Sequence, residues 1–291
     1  MRWRLGSVRV MFVFKAGVVG AGTMGGEIAQ VIADAGIPVV LKDVDQKFVD
    51  QGLEKARSLS QARVDAGKLE PDQQQRKLDL ITGTLTYESF GDVDLVIEAV
   101  PERIEIKQTV FSELDEVTPG HAILASNTSS LSVTEMALAT SRPEKVVGFH
   151  FFYPASVMRL IEVIEGDETS LETVQASVNF AQTIRKTAIR CGEAPGFVVN
   201  RILNSSVSEL WRAQEETGID VKEIDKIVAE SKAAPVGPFY LSDLLGLDTV
   251  LHVAEHLRGS YGDRFYVHAR MRELVAERKL GAKTGEGFYE H

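Results

Sequence analysis

Two residues twelve positions apart, His150 and Glu162, sit where their side chains could do chemistry. The apolar run Val147-Gly148-Phe149-His150-Phe151-Phe152-Tyr153-Pro154 is followed by Arg159-Leu160-Ile161-Glu162-Val163-Ile164-Glu165. Such runs read as buried strands. A histidine at a strand end is well placed to meet solvent and ligand. A carboxylate inside a β-branched run is costly to bury without a partner, and His150 is the candidate partner. A carboxylate–imidazole pair holds one tautomer, stabilises the imidazolium and makes the histidine a better general base. On these residues alone a purely structural pair, or no contact at all, is the favoured reading.

A second set lies near the start of the chain. An apolar run over 12–19 reads as a strand and leads into Gly20-Ala21-Gly22-Thr23-Met24-Gly25, a G-x-G-x-x-G that opens an amphipathic helix over about 24–35. A further apolar run over 37–41 ends on Lys42-Asp43, which places an acid 18 residues after the last glycine. Strand, glycine turn, helix, strand and acid together make a dinucleotide-binding unit. Gly20 permits the tight turn, Gly22 lets a pyrophosphate approach the backbone, and Gly25 lets helix and strand pack closely. The helix start offers unpaired N–H groups to phosphate. Asp43 would accept hydrogen bonds from ribose hydroxyls and repel a 2′-phosphate, which favours NAD over NADP.

These residues need elements to position them. Strands are expected over 80–86, 94–102 and 122–126. The last runs into Asn127-Thr128-Ser129-Ser130, a small polar loop of the kind that meets ligands at the carboxyl ends of strands in open α/β sheets. Ser130 or Ser132 could cap the helix that follows while Ser129 faces ligand. Helices are expected over 46–77, broken near 67–71, then over 103–117, 133–138 and 171–185, with a final strand at 188–191. The hairpin over 46–77 carries mixed charge and reads either as a solvated face or as a phosphate-binding patch. Past Glu193-Ala194-Pro195-Gly196 the β pattern stops and helical spacing takes over, at 197–214, 219–229 and 241–256. The expected architecture is therefore α/β: a Rossmann-type doubly wound sheet over 1–192, and an all-helical domain over 193–291 for substrate binding and dimerisation. Asn200, polar in an apolar helix start, could face a cleft between the two. The glycine-rich tail over 279–289 resembles a folded-back loop.

The totals narrow the function classes. The net charge of −10 argues against binding nucleic acid or an anionic membrane surface. One cysteine, Cys191, rules out an intrachain disulfide framework and a cysteine metal site, and the six histidines show no metal-ligand spacing. No stretch approaches the length of a membrane span. The first ten residues are basic and free of acids. They read as an upstream start, with Met11 the true beginning, in preference to a targeting segment. A cytoplasmic location is expected.

Several motifs in order resemble the short-chain, NAD-dependent L-3-hydroxyacyl-CoA dehydrogenases, which include the 3-hydroxybutyryl-CoA dehydrogenases. They are GAGTMG at 20–25, VIEAVPE at 96–102, SNTSSL at 126–131, GFHFFYPASVMRLIEVI at 148–164, PGFVVNRIL at 195–203, APVGPFYLSDLLGLD at 234–248 and KTGEGFY at 283–289. The resemblance implies that His150 is the catalytic base and Glu162 its carboxylate partner, and that Ser129 and Asn200 hydrogen-bond the region of the substrate's 3-oxygen. It implies that Gly20, Gly22, Thr23, Met24 and Gly25 form the pyrophosphate loop. Asp43 is then the ribose acid, and Glu102, Lys107, Ser129 and Lys283 approach the cofactor. NAD as cofactor, a CoA thioester as substrate and a homodimer through the helical domain follow from the same resemblance. The hairpin after the second strand contributes to the CoA site in this family, and Ser60, Arg63 and Lys68 lie in that hairpin here. One departure stands out: where the family reads HFFNP, this chain has Tyr153 in place of the asparagine. Two alternatives remain at this point. One is a dehydrogenase of a non-CoA hydroxy acid or sugar acid on the same fold. The other is an NAD-binding protein with weakened catalysis.

Overall fold

The structure, a computed structural model, describes residues 12–291, so the reading of the first ten residues lies outside the described residues. The chain divides into two compact units, the first ending at Glu193 and the second beginning at Ala194.

The first unit is built on an eight-stranded sheet. Its strands are β1 (Ala16–Val19), β2 (Val39–Lys42), β3 (Ile81–Thr84), β4 (Leu95–Glu98), β5 (Ile123–Ser126), β6 (Val146–Phe151), β7 (Leu160–Glu165) and β8 (Thr187–Gly192). Their order is β3-β2-β1-β4-β5-β6-β7-β8, parallel throughout except that β7 runs antiparallel to β6. Strands β1, β2, β4 and β5 are buried at every position, as expected of parallel strands covered on both faces. The strand order reverses between β1 and β4, where such sheets form a ligand crevice at their carboxyl ends. Helix α1 (Thr23–Asp34) follows β1, and α4 (Ile104–Val117) follows β4.

The apolar run over 12–19 is only half a strand. Phe12 and Phe14 are exposed, and β1 starts at Ala16. The reason is the neighbour: the N–H groups of Phe14 and Lys15 both point at the Asp94 carboxylate (2.7 and 3.2 Å), just before β4 begins. A side chain therefore meets the backbone donors where strand pairing has run out.

The expected hairpin breaks as its sequence suggests, into α2 (Gln46–Asp65) and α3 (Pro71–Leu78). Gly67 between them has a positive φ of 65°, a conformation suited to glycine. Asp34 at the end of α1 collects both Arg63 and Lys77 and so ties the hairpin to α1. Ser60 is buried, and its hydroxyl donates to the Ala56 carbonyl (2.9 Å). Between β5 and β8 lie α5 (Val133–Ala137) and α6 (Leu171–Thr183), capped by the Ser132 and Ser170 hydroxyls respectively.

The second unit is helical: α7 (Val199–Thr217), α8 (Val221–Glu230), α9 (Pro238–Leu245), α10 (Leu247–Tyr261) and α11 (Ala269–Ala276). Its core gathers Trp211, Phe239, Leu247, Ala254, Met271 and Leu274. The single helix expected over 241–256 is two, because Gly246 takes a φ of 93° that an α-helix cannot contain. Helix α11 has no counterpart among the expected elements. The glycine-rich tail does fold back: the buried Asp243 carboxylate accepts the N–H groups of Phe288 (3.0 Å) and Tyr289 (2.8 Å).

Candidate active site

The antiparallel register of β6 and β7 sets His150 directly opposite Glu162. Opposed residues project to the same face of a sheet, so their side chains can meet. They do: His150 Nδ1 stands 2.8 Å from Glu162 Oε2, with the histidine 6% exposed and the glutamate fully buried. A carboxylate at Nδ1 favours the tautomer with its proton there, the tautomer whose Nε2 can accept a proton. The Phe152 ring lies 4.6 Å from the imidazole, centroid to centroid.

At the crevice, the glycine loop has the form that a pyrophosphate needs. Gly20 has a φ of 99°, and a Cβ there would meet the Ala99 backbone. A Cβ on Gly25 would overlap the Gly20 carbonyl, so helix and strand pack as closely as backbone allows. Gly22 differs, since nothing stands within 4 Å of where its Cβ would be. It is also the N-cap of α1 and lends no side-chain cap, so no capping side chain occupies the first N–H groups of the helix. Thr23 is exposed and Met24 half-buried on the same turn. Asp43 closes the loop's far side, its Oδ2 accepting the Ala21 N–H (2.7 Å) and its Oδ1 the Val44 N–H (2.7 Å). The acid is thus already aimed at the glycine turn.

The carboxyl ends of β4 and β5 carry a buried polar cluster. Lys107 Nζ reaches Glu98 at 2.7 and 3.0 Å and Glu102 at 3.2 Å. Ser126 donates to Glu98 (2.6 Å), while Thr128 Oγ1 (2.6 Å), Ser129 N–H (2.9 Å) and Ser129 Oγ (3.3 Å) all donate to Glu102. Burial dominates at Glu98 and raises its carboxyl above the usual range, in spite of Lys107 and Ser126. Burial acts the same way on Glu102, but Lys107 and the donors from Thr128 and Ser129 outweigh it and hold this carboxyl below the usual range. Ser129 is therefore held in place through Glu102.

Two members of this neighbourhood are not among the residues singled out in the sequence. Glu98 carries the same signal as Glu162, an acid inside an apolar strand, and was open to the same argument. Asn127 is read in the sequence only as part of the polar loop over 127–130, with no role of its own. Its Oδ1 accepts the Phe151 N–H (2.9 Å), tying the β5 loop to the strand residue after His150. Asn127→Ala should cost about 1 kcal/mol of stability and lower kcat several-fold, read by denaturant unfolding beside steady-state kinetics; unchanged kcat would show that the tie does not serve the site.

His150, Glu162, Ser129, Glu102, Lys107, the glycine loop and Asp43 all belong to the first unit. Asn200 and Lys283 belong to the second. Asn200 lies in the first turn of α7, where its carbonyl accepts from Asn204 (3.0 Å), and Lys283 pairs with Asp248. Among the described residues, no helix is long and apolar enough to cross a membrane.

Comparison with known proteins matches both units. Residues 15–194 match the 3-hydroxyacyl-CoA dehydrogenase NAD binding domain, and residues 196–291 match the 3-hydroxyacyl-CoA dehydrogenase C-terminal domain. A probable 3-hydroxybutyryl-CoA dehydrogenase of Deinococcus radiodurans is 40% identical over 95% of this chain and 100% of its own length. The fatty acid oxidation complex subunit alpha of Idiomarina loihiensis is 40% identical over 94% of this chain, which spans only 38% of that protein. The crystal structure of (S)-3-hydroxybutyryl-CoA dehydrogenase from Ralstonia eutropha superposes with a TM-score of 0.91 at 37% identity, covering 96% of this chain and 99% of that one.

Proposed function

This chain belongs to the NAD-dependent 3-hydroxyacyl-CoA dehydrogenase family, and from that premise we propose that it reversibly oxidises the 3-hydroxyl of a short-chain L-3-hydroxyacyl-CoA, such as 3-hydroxybutyryl-CoA, to the 3-keto thioester. The observation that carries the reading is the buried His150–Glu162 pair at the end of β6.

A secondary alcohol is too weak an acid to lose its proton unaided at neutral pH. His150 takes that proton at Nε2. Glu162 stabilises the imidazolium that results, and in the reverse direction His150 returns the proton to the forming alcohol. NAD, when bound, supplies the hydride acceptor. Ser129, held by Glu102, orients the 3-oxygen, and Asn200 is assigned to the same oxygen by the family resemblance; holding it in line lowers the entropic cost of the reaction. Gly20, Gly22, Thr23, Met24 and Gly25 receive the pyrophosphate, and Asp43 the ribose hydroxyls. Glu102, Lys107 and Lys283 complete the assigned cofactor set. Among them Lys107 is 1% exposed and acts by fixing the two glutamates.

Asp43→Asn should weaken NADH binding about 10-fold, the scale of losing hydrogen bonds to a charged acceptor, while weakening NADPH binding less. Fluorescence titration with both cofactors reads the difference, and equal losses for the two would remove Asp43 from the ribose. Dimerisation through the helical unit is part of the same proposal, where Ile202, Ile227, Leu244 and Leu245 are exposed. With a single cysteine, a reducing compartment such as the cytoplasm fits it as well.

The test of the activity is NADH formation with L-3-hydroxybutyryl-CoA, beside a longer L-3-hydroxyacyl-CoA and free 3-hydroxybutyrate. Turnover of thioesters and not of the free acid is the expected result. Turnover of the free acid alone would move the protein to the non-CoA hydroxy acids.

A further inference from the structure

Two buried charges of the first unit take no part in the proposed chemistry. Glu27, on α1 just past the glycine loop, is fully buried, and Lys186, just before β8, is 8% exposed. Both reach the segment that joins β6 to β7. Lys186 Nζ donates to the carbonyls of Ala155 (2.5 Å) and Met158 (2.7 Å). Glu27 Oε2 accepts the Ser156 N–H (3.3 Å), and Lys55 of α2 stands 3.1 Å from its other oxygen. The Ala155 side chain is fully buried, and the N–H groups of Val157 and Met158 both turn back to the Pro154 carbonyl (3.0 and 2.9 Å). The loop backbone is therefore pinned on its inner side, while Tyr153, Val157 and Met158 stay exposed. One residue before Tyr153, Phe152 lies against the His150 ring.

Taking an ammonium and a carboxylate out of water is costly unless each finds polar partners. At Lys186 burial pulls the ammonium below the usual lysine range, and the Glu27 carboxylate opposes that pull. Neither charge touches another ionised group at close range on the loop itself. Both are directed at its backbone, next to the strand that carries the base.

We propose that Glu27 and Lys186 are positioning residues: they fix the backbone of the loop over 153–158, so that Phe152 stays against His150 and Tyr153 keeps a constant place at the edge of the site. Because Glu27 stands on the helix whose start faces the cofactor crevice, the same contact couples that helix to the catalytic strand. The catalytic part of this inference rests on His150 being the base of the proposed reaction.

The test compares the wild type with Glu27→Ala, Glu27→Gln and Lys186→Met. Hydrogen exchange is followed for a peptide spanning 152–160, together with kcat, KM for L-3-hydroxybutyryl-CoA and the dissociation constant of NADH. In Glu27→Ala, exchange of that peptide should rise about 10-fold while peptides from β1, β4 and β5 keep their protection. Its kcat should fall about 10-fold, with NADH affinity within about twofold. Glutamine can still accept the Ser156 N–H and should restore most of both. Lys186→Met should reproduce the exchange change, and the double variant with Glu27→Ala should be no slower than the slower single variant, as for two residues acting on one element. Unchanged exchange at 152–160, a rise spread evenly over the unit, or a wild-type kcat in Glu27→Ala would each overturn the proposal. If the wild type itself turned over no 3-hydroxyacyl-CoA, the functional reading would fall and the catalytic part with it. The exchange result would still decide whether Glu27 holds the loop.

Discussion

His150→Gln is expected to lower kcat for 3-hydroxyacyl-CoA oxidation by about 10²- to 10⁴-fold, the span usual for losing a general acid–base group. The choice of glutamine isolates proton transfer. Glu162 is fully buried opposite His150, and an apolar replacement would strand its carboxylate. A glutamine amide can still donate to that carboxylate, but it cannot take a proton from an alcohol. The variant should therefore fold, bind NADH within about twofold of the wild type and keep a similar KM. The loss should fall on kcat, as for an interaction made only in the transition state. Single-turnover absorbance of NADH, beside a fluorescence titration of the cofactor, measures both. Near-normal turnover would remove His150 from the chemistry and leave the buried pair a structural one.

Lys107→Met should produce the largest loss of stability, about 3–5 kcal/mol at pH 7, the scale of breaking a buried ion pair by removing one partner. Lys107 is 1% exposed and holds two carboxylates, Glu98 fully buried and Glu102 partly so. The pH dependence has a definite sign. Burial already raises Glu98 in the wild type, and losing the ammonium raises it further. A carboxyl raised on folding contributes stability below its unfolded pKa and loses it as pH rises through the folded value, so the variant weakens toward neutral pH. Burial also acts on Glu102, but Lys107 and its hydrogen bonds hold it low. Its contribution is present above the unfolded pKa and lost as pH falls through the depressed value, and it is this contribution that the variant lacks. Both effects make the deficit largest near neutral pH and smallest in acid. Urea midpoints at pH 5 and pH 8 test the trend. Adding Glu98→Gln should recover part of the loss. A deficit independent of pH would show that Lys107 acts through packing rather than charge. Because Glu102 holds the Ser129 loop, the variant should also lose activity at temperatures where it is still folded.

Much of this protein is legible in its sequence, and the legible part has a common cause. The glycine loop, helix α1 and Asp43 lie within a single local unit, where backbone preference and close packing are encoded in neighbouring residue types. His150 and Glu162 could be paired on paper because two apolar runs a dozen residues apart read as adjacent strands, with an ionisable group in each. The roles proposed for Ser129, Asn200 and Lys283 rest on the family motifs, since composition and spacing alone do not point to them. Sequence pattern and structure part at element boundaries. The 12–19 run reads as one strand, yet its first residues meet Asp94 instead of a neighbour, and the helix over 241–256 is cut by the backbone angle at Gly246.

The α/β class, the glycine loop and the helical second half can be read from residue patterns alone, because each rests on periodicity or on contacts close along the chain; that His150 meets Glu162 follows from the β6–β7 register, which sets the two opposite each other. That one buried lysine serves both Glu98 and Glu102, that Asn127 bonds the backbone beyond His150, and that Glu27 reaches Ser156 across 129 positions all emerge from the fold alone. No local pattern encodes which buried polar groups will share a partner. That depends on which strand ends and loops the fold brings together, and in a low-dielectric interior each such group must find a partner there.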